Sequence, residues 1–226
     1  MNIQKRLIPV NYTLGRYGYS PEAIVIHLMD GTLAGTDSWF RNPKAQASTH
    51  YGIGNKGEVY QWVEESNMAW GNGRVDKPTW KLIKPNANPN LYTISIEHEG
   101  KSGHEWTAEQ YESLAALVKE ISKRWNIPLD ENHIVVHSEI YAKKPNCTGS
   151  GFDKKHLLQL VKPEVPDLRN SLVKGDLSPA VFWVDNNNVA HGIPTWPFFL
   201  EFFGGSFRTI PQAEMDTVKK GSSFKS

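Results

Sequence analysis

Two short runs constrain this chain most: Ala23-Ile24-Val25-Ile26-His27 and His133-Ile134-Val135-Val136-His137. Neither alternates polar with apolar residues, and each closes on a histidine. A strand reads this way when both of its faces are covered. A third strand, Leu91 to Glu97, ends in an acid. Thr49–Ile53 and Glu58–Val63, separated by Asn55-Lys56-Gly57, read as a hairpin with glycine supplying the positive φ of its turn.

Helical signals alternate with these strands. Over 107–125, Thr107 and Gln110 form a capping box, Leu114, Leu117, Val118 and Ile121 recur at helical spacing, and Asn126-Ile127-Pro128 stops the run. A shorter helix is predicted over about 153–162, and 36–47 reads as a loop or short helix carrying Trp39 and Phe40. Residues 66–90, rich in glycine and proline, form a long loop of the kind that usually serves function. The pattern predicts an α/β (α+β) domain over residues 1–162, a central mixed β-sheet flanked by helices.

Pro163, Pro166 and the polar residues after them read as a linker over 163–175. Residues 176–226 then form a small aromatic-rich β/α segment. It holds a hairpin at 181–184 and 189–191, and a helix from Trp196 to Phe203 capped by Thr195 and stopped by Gly204-Gly205. Its size is near the lower limit for a self-standing core.

Charge narrows the partners. A formal net charge of +1 removes any strong electrostatic case for nucleic acid or an anionic membrane as the main partner. No segment approaches the roughly 20 apolar residues of a bilayer span, so no stable membrane association is expected. The N-terminus shows no signal-peptide pattern, which predicts a chain made and kept in the cytoplasm unless another system releases it. The single cysteine, Cys147, excludes an intramolecular disulfide framework.

His27, His137 and Cys147 would suit one zinc ion with a fourth position open. Read singly, the histidines fit hydrogen-bonded core residues, and the thiol fits buried packing. Sequence context adds to this. Ile24-Val25-Ile26-His27, Ala47-Ser48-Thr49-His50-Tyr51, Asn55-Lys56-Gly57-Glu58-Val59-Tyr60-Gln61, Ala69-Trp70, Thr93-Ile94-Ser95-Ile96-Glu97, His137-Ser138-Glu139-Ile140 and Asn146-Cys147-Thr148-Gly149 follow one another in order. Over most of residues 20–162 the chain thereby resembles the zinc-dependent N-acetylmuramoyl-L-alanine amidases of the bacteriophage-lysozyme and peptidoglycan-recognition superfamily.

The resemblance implies a Zn2+ cofactor (one ion) on His27, His137 and Cys147, and peptidoglycan as partner. It implies hydrolysis of the amide between N-acetylmuramic acid and L-alanine, with Glu97 as acid–base and Lys144 or its neighbour Lys143 stabilising the oxyanion. Thr49 stands where other members carry a tyrosine, and Gly71 where relatives carry a histidine. His50, Trp70 and Trp39 are the expected substrate contacts, with Trp80 as a further groove wall or core residue. His98, His104, His156 and His191 are read as non-ligands.

Two cellular readings fit such an enzyme, a phage or prophage endolysin and a cytoplasmic amidase recycling muropeptides. The C-terminal segment favours the endolysin, as a module contacting wall polymer. A binding module that holds peptidoglycan without cutting it is the rival class, and the retained ligand set argues against it.

Overall fold

The computed structural model describes residues 1–73, 75–162, 167–204 and 206–224. The expected linker prolines Pro163 and Pro166, and Gly205 of the expected helix stop, lie outside those residues. The chain divides into two compact units, Met1–Val161 and Lys162–Ser226.

In the first unit the elements run β1 (Ile3–Lys5), β2 (Tyr12–Thr13), β3 (Ala23–Leu28), α1 (Leu33–Phe40), β4 (Tyr51–Ile53), β5 (Val59–Gln61), β6 (Met68–Ala69), β7 (Thr93–His98), α2 (Ala108–Trp125), β8 (Ile134–Val136) and α3 (Lys154–Val161). Six strands form one sheet in the order β1-β5-β4-β7-β3-β8. The β4, β7, β3 and β8 strands run parallel, while β5 pairs with β4 antiparallel, so the sheet is mixed as the sequence pattern predicts. The expected hairpin turn is present, with Gly57 at φ +78°.

Every residue of β3 is buried, which is why its sequence does not alternate. Ile24, Ile26, Ile94, Ile96 and Ile134 meet Leu114, Leu117, Val118 and Ile121 of α2 and Leu157 and Val161 of α3. Each such fully buried aliphatic side chain stabilises the fold by about 1.5–3 kcal/mol. Ala23, Val25 and Val135 pack in a second cluster with Trp80 and Tyr92. Trp80 is therefore a core residue rather than a groove wall.

The start of α2 carries the predicted capping box, and the Gln110 amide also donates to the Glu99 carbonyl (2.8 Å), fastening the helix to the end of β7. Its far end is fastened by Glu65. That buried carboxylate accepts from Arg124 Nη2 (2.6 Å), Trp125 Nε1 (2.7 Å) and the Tyr51 hydroxyl (2.8 Å). Burial raises the Glu65 carboxyl, but these hydrogen bonds outweigh it and hold it below its usual value. Its stabilisation is complete above the ordinary glutamate range and is lost as pH falls through the folded value. Glu65→Ala should cost about 3 kcal/mol in denaturant unfolding, the low end for breaking a buried pair, because Arg124 keeps water on one side.

The second unit contains β9 (Ser171–Gly175), β10 (Val181–Val184), β11 (Val189–Gly192), α4 (Trp196–Phe203), β12 (Arg208–Ile210), α5 (Gln212–Thr217) and β13 (Lys219–Lys220). Its sheet has the order β12-β9-β10-β11-β13. The β9 strand corrects the linker expected over 163–175. Its Val173 side chain is fully buried, and its backbone pairs with strands on both sides, a pairing that its polar flanks conceal. Leu168, Val173, Val184, Ala190, Ile210, Met215 and Val218 form this unit's own core. On α4 only Phe199 is buried, while Trp196, Leu200 and Phe202 are exposed. No helix among the described residues is long and apolar enough to cross a membrane.

Candidate metal centre

Strand register assembles the site. His27 of β3 is the register partner of Glu97 on β7, and Ile26 pairs with Val136, the residue before His137. His27 therefore stands between Glu97 and His137 at the carboxyl ends of three parallel strands, where open α/β sheets place their ligands. By the two-residue pleat, His27 and Glu97 project to the face of Val25, away from α2.

His137 opens a short 3-10 turn, His137–Glu139, braced by the Glu139 carboxylate accepting from Val136 N–H (2.7 Å). Cys147 arrives on a loop of successive turns, in which Cys147 N–H donates to Lys144 O (3.1 Å) and Gly149 N–H to Asn146 O (2.9 Å). The indole of Trp106 donates to Thr148 O (3.2 Å) and ties that loop down. Cys147 Sγ lies 3.1 Å from His137 Nδ1 and 3.7 Å from His27 Nδ1. One ligand atom from each of the three residues falls within 4.8 Å of the others.

The chemistry of these donors suits a divalent ion. Burial, with the nearby His137, keeps His27 neutral, far below the ordinary histidine value, and burial lowers His137 as well. Burial and the Glu97 charge push the Cys147 thiol up to about 12. Two imidazole nitrogens and one sulfur are borderline-soft ligands of the kind zinc selects, and three of them leave a coordination position free.

Glu97 Oε2 is enclosed, and among the described residues it has no hydrogen-bond partner. Burial raises the Glu97 carboxyl to about 8, against the pull of Lys144. The charge of Lys144 also acts on His137 and Cys147, whereas the Lys143 ammonium lies 3.9 Å from Asp76. A cleft of about 360 Å³ opens beside Cys147, walled by Leu28, Asp30, Ser102 and residues 143–146.

The expected substrate contacts fare differently. His50 is corrected: its ring is fully buried, Nδ1 accepts from Ser95 N–H (3.0 Å), and Nε2 lies against Asn67 O (3.1 Å) and Arg16 Nη2 (2.8 Å). A ring held on both nitrogens inside the core cannot touch substrate. Trp70 is half-buried with its indole N–H on Thr13 Oγ1 (2.9 Å). Trp39 is exposed on α1, a helix that contributes nothing to the cleft wall. Thr49 is fully buried and donates to Tyr51 O, so its hydroxyl is not in the site. A Cβ at Gly71 would lie 3.0 Å from the Thr49 methyl, so these two positions are close neighbours. Glu99, the neighbour of Glu97 two residues on, accepts from Asn55 N–H (3.0 Å) instead.

Sequence reading missed Asn72, a fully buried residue of the long loop. His137 Nε2 lies 3.0 Å from the Asn72 carbonyl oxygen, and His27 Nε2 lies 3.2 Å from Asn72 Oδ1. The only signal was the loop's unusual length. It missed Arg16 as well, whose buried guanidinium donates to the carbonyls of Glu65, Asn90, Leu91 and Thr93 and so holds the loop's two ends together.

Residues 17–150 match the protein family described as N-acetylmuramoyl-L-alanine amidase. N-acetylmuramoyl-L-alanine amidase A of Achromobacter lyticus is 37% identical over 143 residues, covering 60% of this chain and 63% of that protein. Endolysin PlyTW of Staphylococcus phage Twort is 25% identical over 138 residues, covering 58% of this chain and 27% of that protein. The chain thus spans less than two thirds of either relative. A crystal structure of AmpD shares the fold, with a TM-score of 0.60 and 22% identity, over 70% of this chain and 94% of that one.

Proposed function

The chain belongs to the N-acetylmuramoyl-L-alanine amidase family, and we propose that it hydrolyses the amide between N-acetylmuramic acid and L-alanine of peptidoglycan with one zinc ion held by His27, His137 and Cys147. The observation that carries this reading is the pairing of that three-ligand cluster with the enclosed, unpartnered Glu97 carboxylate oxygen. When bound, the ion supplies a Lewis acid that acidifies water and polarises the scissile carbonyl.

The chain's own residues carry the protons. Glu97 takes a proton from the attacking water as the new C–O bond forms at the lactyl carbonyl. It returns that proton to the L-alanine nitrogen as the C–N bond breaks. A carboxyl raised toward neutrality suits both duties. Lys144, the lysine whose charge reaches the cluster, offsets negative charge developing on the carbonyl oxygen.

The cellular role proposed is lysis of intact wall, as in an endolysin acting after release from the cytoplasm. The second unit supports it, because the exposed Trp196 and Phe202 on α4 offer aromatic faces to wall polymer. Purified sacculi and soluble anhydro-muropeptides, each treated with the zinc-loaded chain, test both levels. Mass spectrometry should find free stem peptides beginning with L-alanine, released faster from sacculi, and the chain should sediment with the walls. Intact muramyl–alanine linkages beside newly cut peptide bonds would overturn the amidase assignment. Faster turnover of the soluble fragments would move the enzyme to muropeptide recycling.

A further inference from the structure

We infer that Asn72 fixes the proton order of the site, holding both His27 and His137 with the proton on Nε2 and the Nδ1 lone pair turned toward the metal position. The inference rests on the zinc reading above for its purpose, but on hydrogen bonds alone for its form.

A neutral imidazole binds metal through its bare nitrogen, so the other nitrogen must carry the proton. For His137 the partner of Nε2 is the main-chain oxygen of Asn72 at 3.0 Å. A carbonyl only accepts, so Nε2 is the protonated nitrogen. For His27 the partner is the Asn72 side-chain amide, whose oxygen and nitrogen ends are told apart only by their neighbours. The far end of that amide settles it. Thr93 Oγ1 lies 2.9 Å from the Pro89 carbonyl, which takes the hydroxyl proton. The Thr93 oxygen is then the acceptor for Asn72 Nδ2 at 2.8 Å. The amide must therefore present its oxygen to His27 Nε2 at 3.2 Å, and that nitrogen donates.

One proline carbonyl thus sets a relay through Thr93 and Asn72 to His27. The Asn72 N–H is engaged as well, donating to Asn90 Oδ1 (2.9 Å), so every polar group of this fully buried residue has one role. Both Nδ1 atoms face Cys147 Sγ as a result. Outer partners of this kind orient ligands and raise their basicity. Asn72 is a positioning residue, since it acts through the two rings.

Long-range 1H–15N spectra of the full chain labelled at histidine read the tautomers directly, and competition with a chromophoric chelator reads zinc affinity. Metal-free wild type should show the Nε2–H pattern on both rings. In Asn72→Ala, His27 should lose its single tautomer while His137, held by the main chain, keeps it, and zinc affinity should fall about 10–100-fold. Thr93→Val, nearly isosteric, frees the amide to flip and should disturb His27 alone, which keeps the test valid if Asn72→Ala does not fold. An Nδ1–H pattern on either ring of wild type overturns the inference. So does a folded Asn72→Ala or Thr93→Val chain with His27 and zinc affinity unchanged. Wild type with both Nε2–H patterns but no zinc uptake supports the relay and removes the zinc reading.

Discussion

Glu97→Gln should keep the fold and the bound zinc and lose about 100- to 10,000-fold in turnover, the contribution typical of a positioned acid–base group. The substitution is nearly isosteric, and among the described residues Glu97 Oε2 has no hydrogen bond to break. Its thermal unfolding should therefore match wild type, and chelator competition should give an unchanged zinc affinity. What disappears is the capacity to accept a proton and return it. The readout is the rate of free L-alanine amino ends appearing from purified walls. Near-normal turnover would remove Glu97 from the chemistry. A parallel loss of zinc would show that the carboxylate serves the ion rather than the proton.

Cys147→Ser is the second large effect, and it strikes an earlier step. A serine hydroxyl is a poor zinc ligand at neutral pH, while two histidines remain. Losing one of three ligands should weaken zinc by more than the about 10–100-fold that loss of an outer partner costs. Activity at micromolar zinc should fall with it. The loop should persist, since its Lys144–Cys147 and Asn146–Gly149 turns are made by backbone groups that the substitution leaves alone. Cys147→Asp, which restores an anionic ligand, should recover part of both zinc affinity and activity. Unchanged zinc affinity in Cys147→Ser would show that the thiol is packing rather than a ligand.

Much of the first unit was legible because its signals are local. Ala23 to Leu28 reads as a covered strand from its own residues, and the Thr107–Gln110 capping box fixes the start of a helix within one turn. Gly57 marks its hairpin for the same reason, since only the turn demands its φ. Ile3–Lys5 and Ser171–Gly175 carried no such mark. Each is short and lacks a run of apolar residues, and each pairs with a strand more than thirty residues away, β5 for the first and β12 for the second. The same limit applies to His50, whose neighbours in sequence resemble a substrate-binding stretch. Its ring is committed to Arg16 and Ser95, far away along the chain.

The sequence by itself determined the residue types of the candidate cluster and the places of His27 and His137 at strand ends, because apolar periodicity and residue chemistry are properties of a few neighbouring positions. Tertiary structure alone decided which groups meet. Register set Glu97 beside His27, the loop turns carried both Lys143 and Lys144 to the cleft wall, and a buried loop laid Asn72 across both rings. The bonds that carry the proton order to the two rings join Asn72 to residues 21 to 65 positions away. No local pattern encodes where those protons lie.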